Sequence, residues 1–204
     1  MKKIRIGYIL IIIFLVLWGT IHSLFASEKL KKNIGSPFGK WNSRFYRLGY
    51  NLFSVASFIP IIYLALVAPI KIIYIIPFPW ILIIIIIEAI LSTGLVVGII
   101  QTGLWEFVGL TQLTAVKENS IHELVTHGMY GYVRHPLYTI GMIMIWMVPV
   151  LTYGLLLINT VLTVYIVIGT YFEEKRLEKD FGKEYVSYKL VTPKYFPWGK
   201  RNKI

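Results

Sequence analysis

The residues most capable of chemistry in this 204-residue chain form two short polar segments on either side of a long apolar run. The first segment places Arg134 and His135 directly before Pro136, which suits the first turn of a helix. The start of that helix would present free backbone N–H groups and a partial positive charge to an anionic group. The second segment is the carboxylate pair Glu173-Glu174. We expect an ion pair from Arg134 or His135 to this pair, since both ends of a helical hairpin reach the same side.

Each segment also has a purely structural explanation. Arg and Tyr side chains near position 134 are typical of an interfacial membrane anchor. The two carboxylates are disfavoured at the C-terminal end of a helix by its dipole, but they would also fit the solvated first turn of a polar tail. The sequence indicates no role for five further polar residues, which are Glu88, His22, Gln101, Gln112 and His127.

The composition is that of an integral membrane protein. The chain is 56% apolar and 15% charged, whereas a soluble domain has roughly a quarter of its residues charged. Its net charge of +11 comes from basic residues beside apolar runs, which favours an anionic membrane surface over nucleic acid as the partner. The absence of cysteine excludes disulfides and thiolate nucleophiles, and four scattered His residues predict no metal centre.

The apolar stretches predict an all-α fold with five transmembrane helices in a single domain of residues 1–204. The predicted spans are residues 6–26, 48–68, 80–101, 137–151 and 153–172. The last two spans divide one 36-residue run, in which Pro149, Thr152 and Gly154 mark the turn of a helical hairpin. The cofactor or catalytic region is expected within residues 102–204.

The segment after Phe172 predicts a cytoplasmic amphipathic helix along the membrane surface. Its apolar face would consist of Leu177, Phe181, Tyr185 and Tyr188, and Pro193 and Pro197 would end it. With the C-terminus inside, 17 Lys and Arg lie on the cytoplasmic side and four outside, which satisfies the positive-inside rule. The N-terminal MKKIR resembles a signal peptide, but the long apolar stretch without a cleavage signal favours a retained span.

Polar residues within the spans are weaker signals. Glu88 lies where a charge is costly, and function, a buried pair and protonation all remain open. Gly94 and Gly98 form a small-residue pair that favours helix packing over ligand binding. His22 is more easily explained as a hydrogen-bonded interfacial histidine than as part of a cavity.

Two motifs in order carry a family resemblance. The first, GMYGYVRHPLYTIG, is followed about forty residues later by EEKRLEKDFGKEYVSYKLVTPKYFP. Together they resemble the isoprenylcysteine carboxyl methyltransferase and phospholipid methyltransferase superfamily of membrane enzymes. The segments HSLFAS, RLGYNLFS, WEFVGLTQ and WMVPVLTYGLLL look like its methanethiol S-methyltransferase and NnrU-like branch.

The resemblance implies S-adenosylmethionine as the cofactor and a small thiol, or a lipidic or isoprenylcysteine group, as the methyl acceptor. Residues carried over as cofactor contacts are Tyr130, Arg134, His135, Pro136, Tyr138, Glu173 and Glu174. Gly128 and Gly131 would permit a close approach of the backbone. Arg134 and His135 are the expected catalytic residues, acting by favouring the thiolate of the acceptor.

Two other functions stay open. One is an NADPH-dependent sterol-type reductase, which shares a related membrane architecture. The other is an NnrU-like accessory protein that kept the fold without catalysis. The sequence does not give the oligomeric state.

Overall fold

The computed structural model describes residues 2–67, 71–103 and 124–198, without the side chains of 2–5, 28–45 and 47. Its long elements are helices α1 (Lys2–Ala26), α2 (Glu28–Val67), α3 (Trp80–Gln101), α4 (Pro136–Trp146), α5 (Tyr153–Phe181) and α6 (Lys183–Val191). Two short strands, β1 (Ile72–Ile75) and β2 (Val150–Thr152), pair antiparallel, and a 3₁₀ turn covers Gly128–Gly131.

Four helices in the described part of the chain are long and apolar enough to cross a membrane. They are Ile6–Ala26, Leu48–Val67, Trp80–Gln101 and Tyr153–Phe181. These segments coincide closely with four of the predicted spans, and they confirm a mostly helical, multi-pass membrane protein. The predicted count of five spans stays a prediction.

The helix predicted over residues 137–151 is wrong in its last third. Helix α4 ends at Trp146 after 11 residues, a length of about 16 Å against a hydrocarbon core of about 30 Å. Beyond it the backbone becomes extended, and Val150–Thr152 pairs with Ile72–Ile75. Pro149 has no N–H for a helix, but its carbonyl accepts a hydrogen bond from Ile76 N at 2.9 Å.

Two other segments are more helical than the sequence predicts. Residues 28–47, expected as a connection between spans, form the first half of the continuous 40-residue helix α2. Helix α5 likewise does not stop at Phe172 but continues through the Glu pair to Phe181. The segment 173–181 contains neither Gly nor Pro, so the helical hydrogen bonds of α5 continue beyond its apolar part. Helix α2 is continuous even though Gly35, Pro37 and Gly39, which favour a helix end, lie within it.

The single amphipathic helix predicted after Phe172 is therefore wrong. Gly182 separates α5 from α6, because its backbone, at φ +55°, lies outside the helical region. This conformation is open mainly to glycine. The predicted apolar face is divided between the two helices, and Tyr185 and Tyr188 are buried.

The described residues form two compact units, and the single-domain prediction stays a prediction. The first unit contains residues 2–67, 71–75 and 150–162. Its core consists of Ile11, Leu15, Ile61 and Ile158. His22 is hydrogen-bonded within this unit, to the Tyr50 hydroxyl at 2.6 Å and the Ser54 hydroxyl at 3.0 Å. This arrangement confirms the interpretation of His22 as a hydrogen-bonded histidine.

The second unit contains residues 76–102, 124–149 and 163–198, with α3 packed on α4. A Cβ added at Gly98 would lie 2.6 Å from the Leu137 side chain, and one at Gly94 would lie 3.3 Å from that of Ile140. Both glycines therefore let the start of α4 approach α3 closely. The helix-packing prediction for this pair is confirmed.

Candidate active site

The turn before Arg134 is shaped by α3. Gly128 has φ +60°, and a Cβ there would lie 2.4 Å from the Gln101 side-chain amide. The same Gln101 accepts a hydrogen bond from Met129 N at 3.2 Å. The close approach that the sequence predicts at Gly128 is thus made by Gln101, and the structure gives that glutamine a role in holding the turn.

Arg134 is occupied by contacts within the protein. Its Nε and Nη2 donate to Glu174 Oε1 at 3.0 and 2.8 Å, which confirms the expected ion pair to the Glu pair. Its Nη1 donates to the carbonyls of Lys189 and Thr192. The guanidinium therefore ties the end of α5 to the segment after α6, and only 8% of the side chain is exposed.

The segment after α6, residues 192–198, also covers the backbone before α4. We call it the C-terminal segment. Arg134 N donates to the Pro193 carbonyl at 2.9 Å, and His135 N donates to the Lys194 carbonyl at 3.1 Å. The prediction of free N–H groups for an anion is wrong for these two residues. Instead, the amides of residues 134 and 135 donate hydrogen bonds to carbonyls of the C-terminal segment.

His135 is buried between two tyrosines and one carboxylate. Its Nε2 lies 3.2 Å from Glu174 Oε1, and since a carboxylate only accepts, Nε2 carries the proton. Its Nδ1 lies 4.0 Å from Glu173 Oε2, beyond a direct hydrogen bond. Burial lowers the pKa of His135 below its ordinary value, although both carboxylates oppose that shift. The neutral ring therefore directs the lone pair of Nδ1 toward Glu173.

Glu174 is a buried carboxylate at the centre of a charge cluster. Its Oε2 faces the ammonium groups of Lys189 at 3.7 Å and Lys194 at 3.8 Å, while Oε1 accepts from Arg134 and His135. We call these five residues the Glu174 cluster. Its carboxylate is surrounded by cations and donors of the protein itself, so it has no side exposed for a ligand; 9% of the side chain is accessible.

Glu173 has a different environment, although it is the adjacent residue. Its side chain is 29% exposed, and its carboxylate interacts electrostatically with the Tyr138 phenol. Burial first, and the charge of Glu173 second, raise the pKa of the Tyr130 phenol to about 12. We call Tyr130, Tyr138 and Glu173 the Glu173 cluster. It combines an accessible carboxylate with two neutral phenols.

The structure brings all seven expected site residues together in the second unit, but in two groups. Pro136 is the first residue of α4 and is buried, so it sets the direction of the helix rather than offering a polar group. Gln112, for which the sequence indicates no role, lies outside the described residues, whereas His127 is described. Glu88 has a buried Oε1 without a hydrogen-bond partner among the described residues, so function, a buried pair and protonation all stay open for it.

Sequence reasoning missed the hydroxyl contacts that fix the C-terminal segment. Thr139 Oγ1, in the first turn of α4, donates to the Tyr195 carbonyl at 2.9 Å. The Tyr195 phenol forms a hydrogen bond with Thr170, which is fully buried in α5. Both threonines lie within apolar runs, where a hydroxyl usually bonds its own helix, so the sequence contains no signal for this contact.

Comparison with known proteins identifies the family. Residues 77–184, just over half of the chain, match the phospholipid methyltransferase family, and the matched region includes both carboxylates and α4. The chain belongs to this family of membrane proteins.

Among similar proteins is methanethiol S-methyltransferase 1 of Bradyrhizobium diazoefficiens, 38% identical over 97 residues, which are 46% of this chain and 34% of the relative. A methanethiol S-methyltransferase of Crocosphaera subtropica is 32% identical over 125 residues, 58% of this chain and 49% of the relative. The chain thus spans between a third and a half of these relatives' length. No solved structure shows significant similarity to it.

Proposed function

We propose that this protein is an S-adenosylmethionine-dependent membrane methyltransferase whose acceptor is a small thiol such as methanethiol. The family supports the reaction class, and the names of the similar proteins support the acceptor. The observation that carries the proposal is the Glu173 cluster, an accessible carboxylate beside two phenols next to a buried imidazole.

The residues of this cluster fit the proposed cofactor. S-adenosylmethionine has hydroxyl and ammonium groups that a carboxylate binds through charge-assisted hydrogen bonds. Glu173 offers such a carboxylate, and in the described residues its nearest ion-pairing group is His135, which is neutral. Tyr138, 39% exposed, offers an aromatic face beside it. Glu173, Tyr138 and Tyr130 would hold the cofactor directly.

Arg134 and Glu174 act in this proposal as positioning residues. Their charges are paired with each other, so they keep the C-terminal segment on the backbone of residues 134 and 135. This segment and the buried Pro136 fix the start of α4, on which Tyr138 lies. Water exclusion and fixed geometry are the main demands of a transfer whose methyl group the cofactor has already activated.

His135 is the proton acceptor of the proposed reaction. Glu174 holds the proton on Nε2, which leaves the lone pair of Nδ1 for the proton of the thiol. The thiolate formed in this way would take the methyl group as the bond from that methyl to the sulfonium sulfur breaks. The products would be a thioether and S-adenosylhomocysteine, and the thiol proton would stay on His135. A lipidic or isoprenylcysteine acceptor is the second candidate within the same class.

The proposed arrangement in the membrane follows the distribution of charge. The C-terminus and the site lie on the cytoplasmic side, and the N-terminus lies outside, with five spans in all. The 17 Lys and Arg that would then be cytoplasmic support this orientation.

The test is turnover by the purified protein in lipid nanodiscs, with S-adenosylmethionine labelled in its methyl group and methanethiol as acceptor. We expect labelled dimethyl sulfide in the headspace, and we expect His135→Gln to lower the rate by roughly 100-fold or more. Lys179→Ala, which changes an exposed residue of α5, is the control and should leave the rate unchanged.

Two outcomes would contradict the proposal. Cofactor binding by folded protein without any product, across thiol and lipid acceptors, would favour the accessory protein. Absence of cofactor binding, with saturable binding of NADPH, would favour the reductase.

A further inference from the structure

The last described residues form an exposed aromatic patch. The rings of Phe196 and Trp198 stack with centroids 5.4 Å apart and planes 25° apart. Phe196 is 45% exposed and Trp198 83% exposed. Aromatic side chains of this size gain considerable free energy from burial, so an exposed stacked pair is typical of a surface that contacts another phase or molecule.

The patch is held at a defined level along α5. Tyr195, the residue before it, is hydrogen-bonded through its phenol to Thr170 and through its carbonyl to Thr139 in the first turn of α4. Thr170 lies within a helix that qualifies as a membrane span, two residues before the apolar stretch ends at Phe172. Phe196 and Trp198 are thus one and three residues from a point fixed to the end of an apolar helix segment.

The end of this apolar stretch has independent features of a membrane interface. Tyr171 and Phe172 are exposed, at 52% and 62%, and Lys175 Nζ lies 4.5 Å from the centroid of the Tyr171 ring. Exposed aromatics followed one turn later by a lysine are the pattern of a helix that reaches the headgroup level, where cations face lipid phosphate. Tyr and Trp side chains concentrate at that level in membrane proteins.

The outer surface of α6 continues this pattern. Tyr185 and Tyr188 point into the protein, whereas Val186 and Leu190 are exposed, Leu190 at 77%. The sequence predicted that the face containing the two tyrosines would contact the membrane. The structure buries that face against protein and leaves Val186 and Leu190 accessible on the other side, among exposed polar residues that include Lys183 and Ser187.

We propose that Phe196 and Trp198 insert into the headgroup boundary of the lipid leaflet at which the apolar part of α5 ends. The partner of the patch is the phospholipid bilayer that the spans cross. This contact attaches the C-terminal segment to the membrane at the point where residues 193 and 194 are hydrogen-bonded to the backbone of 134 and 135. The inference does not depend on the proposed methyl transfer.

The absence of cysteine from the chain allows a direct test. Single nitroxide labels are attached to Trp198→Cys and to Phe196→Cys, each of which keeps the other aromatic residue. Asp180→Cys, at an exposed acidic position beyond the Glu pair on α5, is the matched control. The proteins are reconstituted in phosphatidylcholine vesicles, and collisions with oxygen, which concentrates in lipid, are compared with those of a water-soluble nickel chelate.

We expect a several-fold higher ratio of oxygen to nickel collisions at positions 196 and 198 than at position 180. Labels at 196 and 198 that are as accessible to nickel as the control would overturn the proposal. Labels shielded from both reagents would also overturn it, since protein rather than lipid would then cover the patch. The readout needs no cofactor or substrate, so failure of the proposed function leaves it unaffected.

Discussion

Glu173 and Glu174 are adjacent in the chain, yet their surroundings are opposite. Glu174 is enclosed by Arg134, His135 and two lysines, whereas Glu173 is partly exposed beside two phenols. One residue along a helix turns the side chain by about 100°, which is enough to direct one carboxylate into the protein and the other toward the surface. Two identical residues side by side in a motif therefore need not share one role.

The largest effect should come from removing the cation of the buried pair. Arg134→Met leaves the Glu174 carboxylate without its main partner and releases the carbonyls of Lys189 and Thr192. Loss of one partner of a buried ion pair costs about 3–5 kcal/mol, so we expect a strong fall in the apparent unfolding temperature. Thermal unfolding in detergent measures it, with Lys179→Ala as the control; equal stability of the two variants would contradict a holding role for the Glu174 cluster.

A smaller effect, acting on both clusters together, is expected at the contact between α3 and α4. Gly98→Val places a branched side chain where Leu137 already lies within 2.6 Å of the first added carbon. Overpacking of this kind costs about 1–3 kcal/mol and shifts the start of α4. Gly141→Ala is the control, because nothing lies within 4 Å of a Cβ added at Gly141. If both variants unfold at the same temperature as the parent, the glycine does not set the position of α4.

A smaller effect still is expected from a substitution that loosens only the C-terminal segment. Tyr195→Phe removes the phenol hydroxyl that bonds to buried Thr170, whose own hydroxyl still donates to the Val167 carbonyl. The cost is therefore that of one hydrogen bond, about 0.5–1.5 kcal/mol. We expect faster proteolysis of the segment after α6, with little change in the main unfolding transition. Thr160→Val, which changes an exposed hydroxyl bonded to its own helix, should leave proteolysis unchanged; equal cleavage of both variants would remove the role of this contact.

The smallest effect is a pH dependence carried by His135. Because burial lowers the pKa of His135 in the folded state, the unfolded chain takes up a proton first as the pH falls below about 6.5. Stability should therefore decrease between pH 6.5 and the folded pKa, and His135→Gln should show a flatter decrease over this range. Unfolding temperatures of the two proteins from pH 7.5 to about 5.5 measure the difference. Parallel curves would show that His135 titrates normally.

The ion pair between Arg134 and the Glu pair could be predicted from the sequence. The apolar run between Arg134 and Glu174 is long enough for a helical hairpin, whose two ends reach the same side of the membrane. The predicted hairpin therefore implied the ion pair between the two residues. The helix-packing role of Gly94 and Gly98 also followed, because small residues four apart lie on one helix face. Hydropathy located four of the spans for the same reason, namely that length and apolar character are local properties.

The remaining features depend on contacts between distant segments. Nothing local distinguishes Glu173 from Glu174, since their difference comes from where Arg134 and Tyr138 are placed in space. The pairing of Ile72–Ile75 with Val150–Thr152 joins segments more than 70 residues apart and replaces the end of a predicted span. The use of the 134 and 135 amides by the C-terminal segment likewise became visible only in three dimensions.

The central claim is that Glu173 binds the cofactor while Glu174 holds the protein around it. It is tested most directly by equilibrium binding of labelled S-adenosylmethionine to Glu173→Gln and Glu174→Gln, with the unfolding temperature of each protein. We predict that Glu173→Gln binds roughly 10- to 100-fold more weakly at unchanged stability, since hydrogen bonds to a charged group contribute about 1.5–3 kcal/mol. Glu174→Gln should unfold at a lower temperature while its folded fraction keeps near-normal affinity. The reverse pattern, with binding lost in a stable Glu174→Gln and kept in Glu173→Gln, would contradict the account.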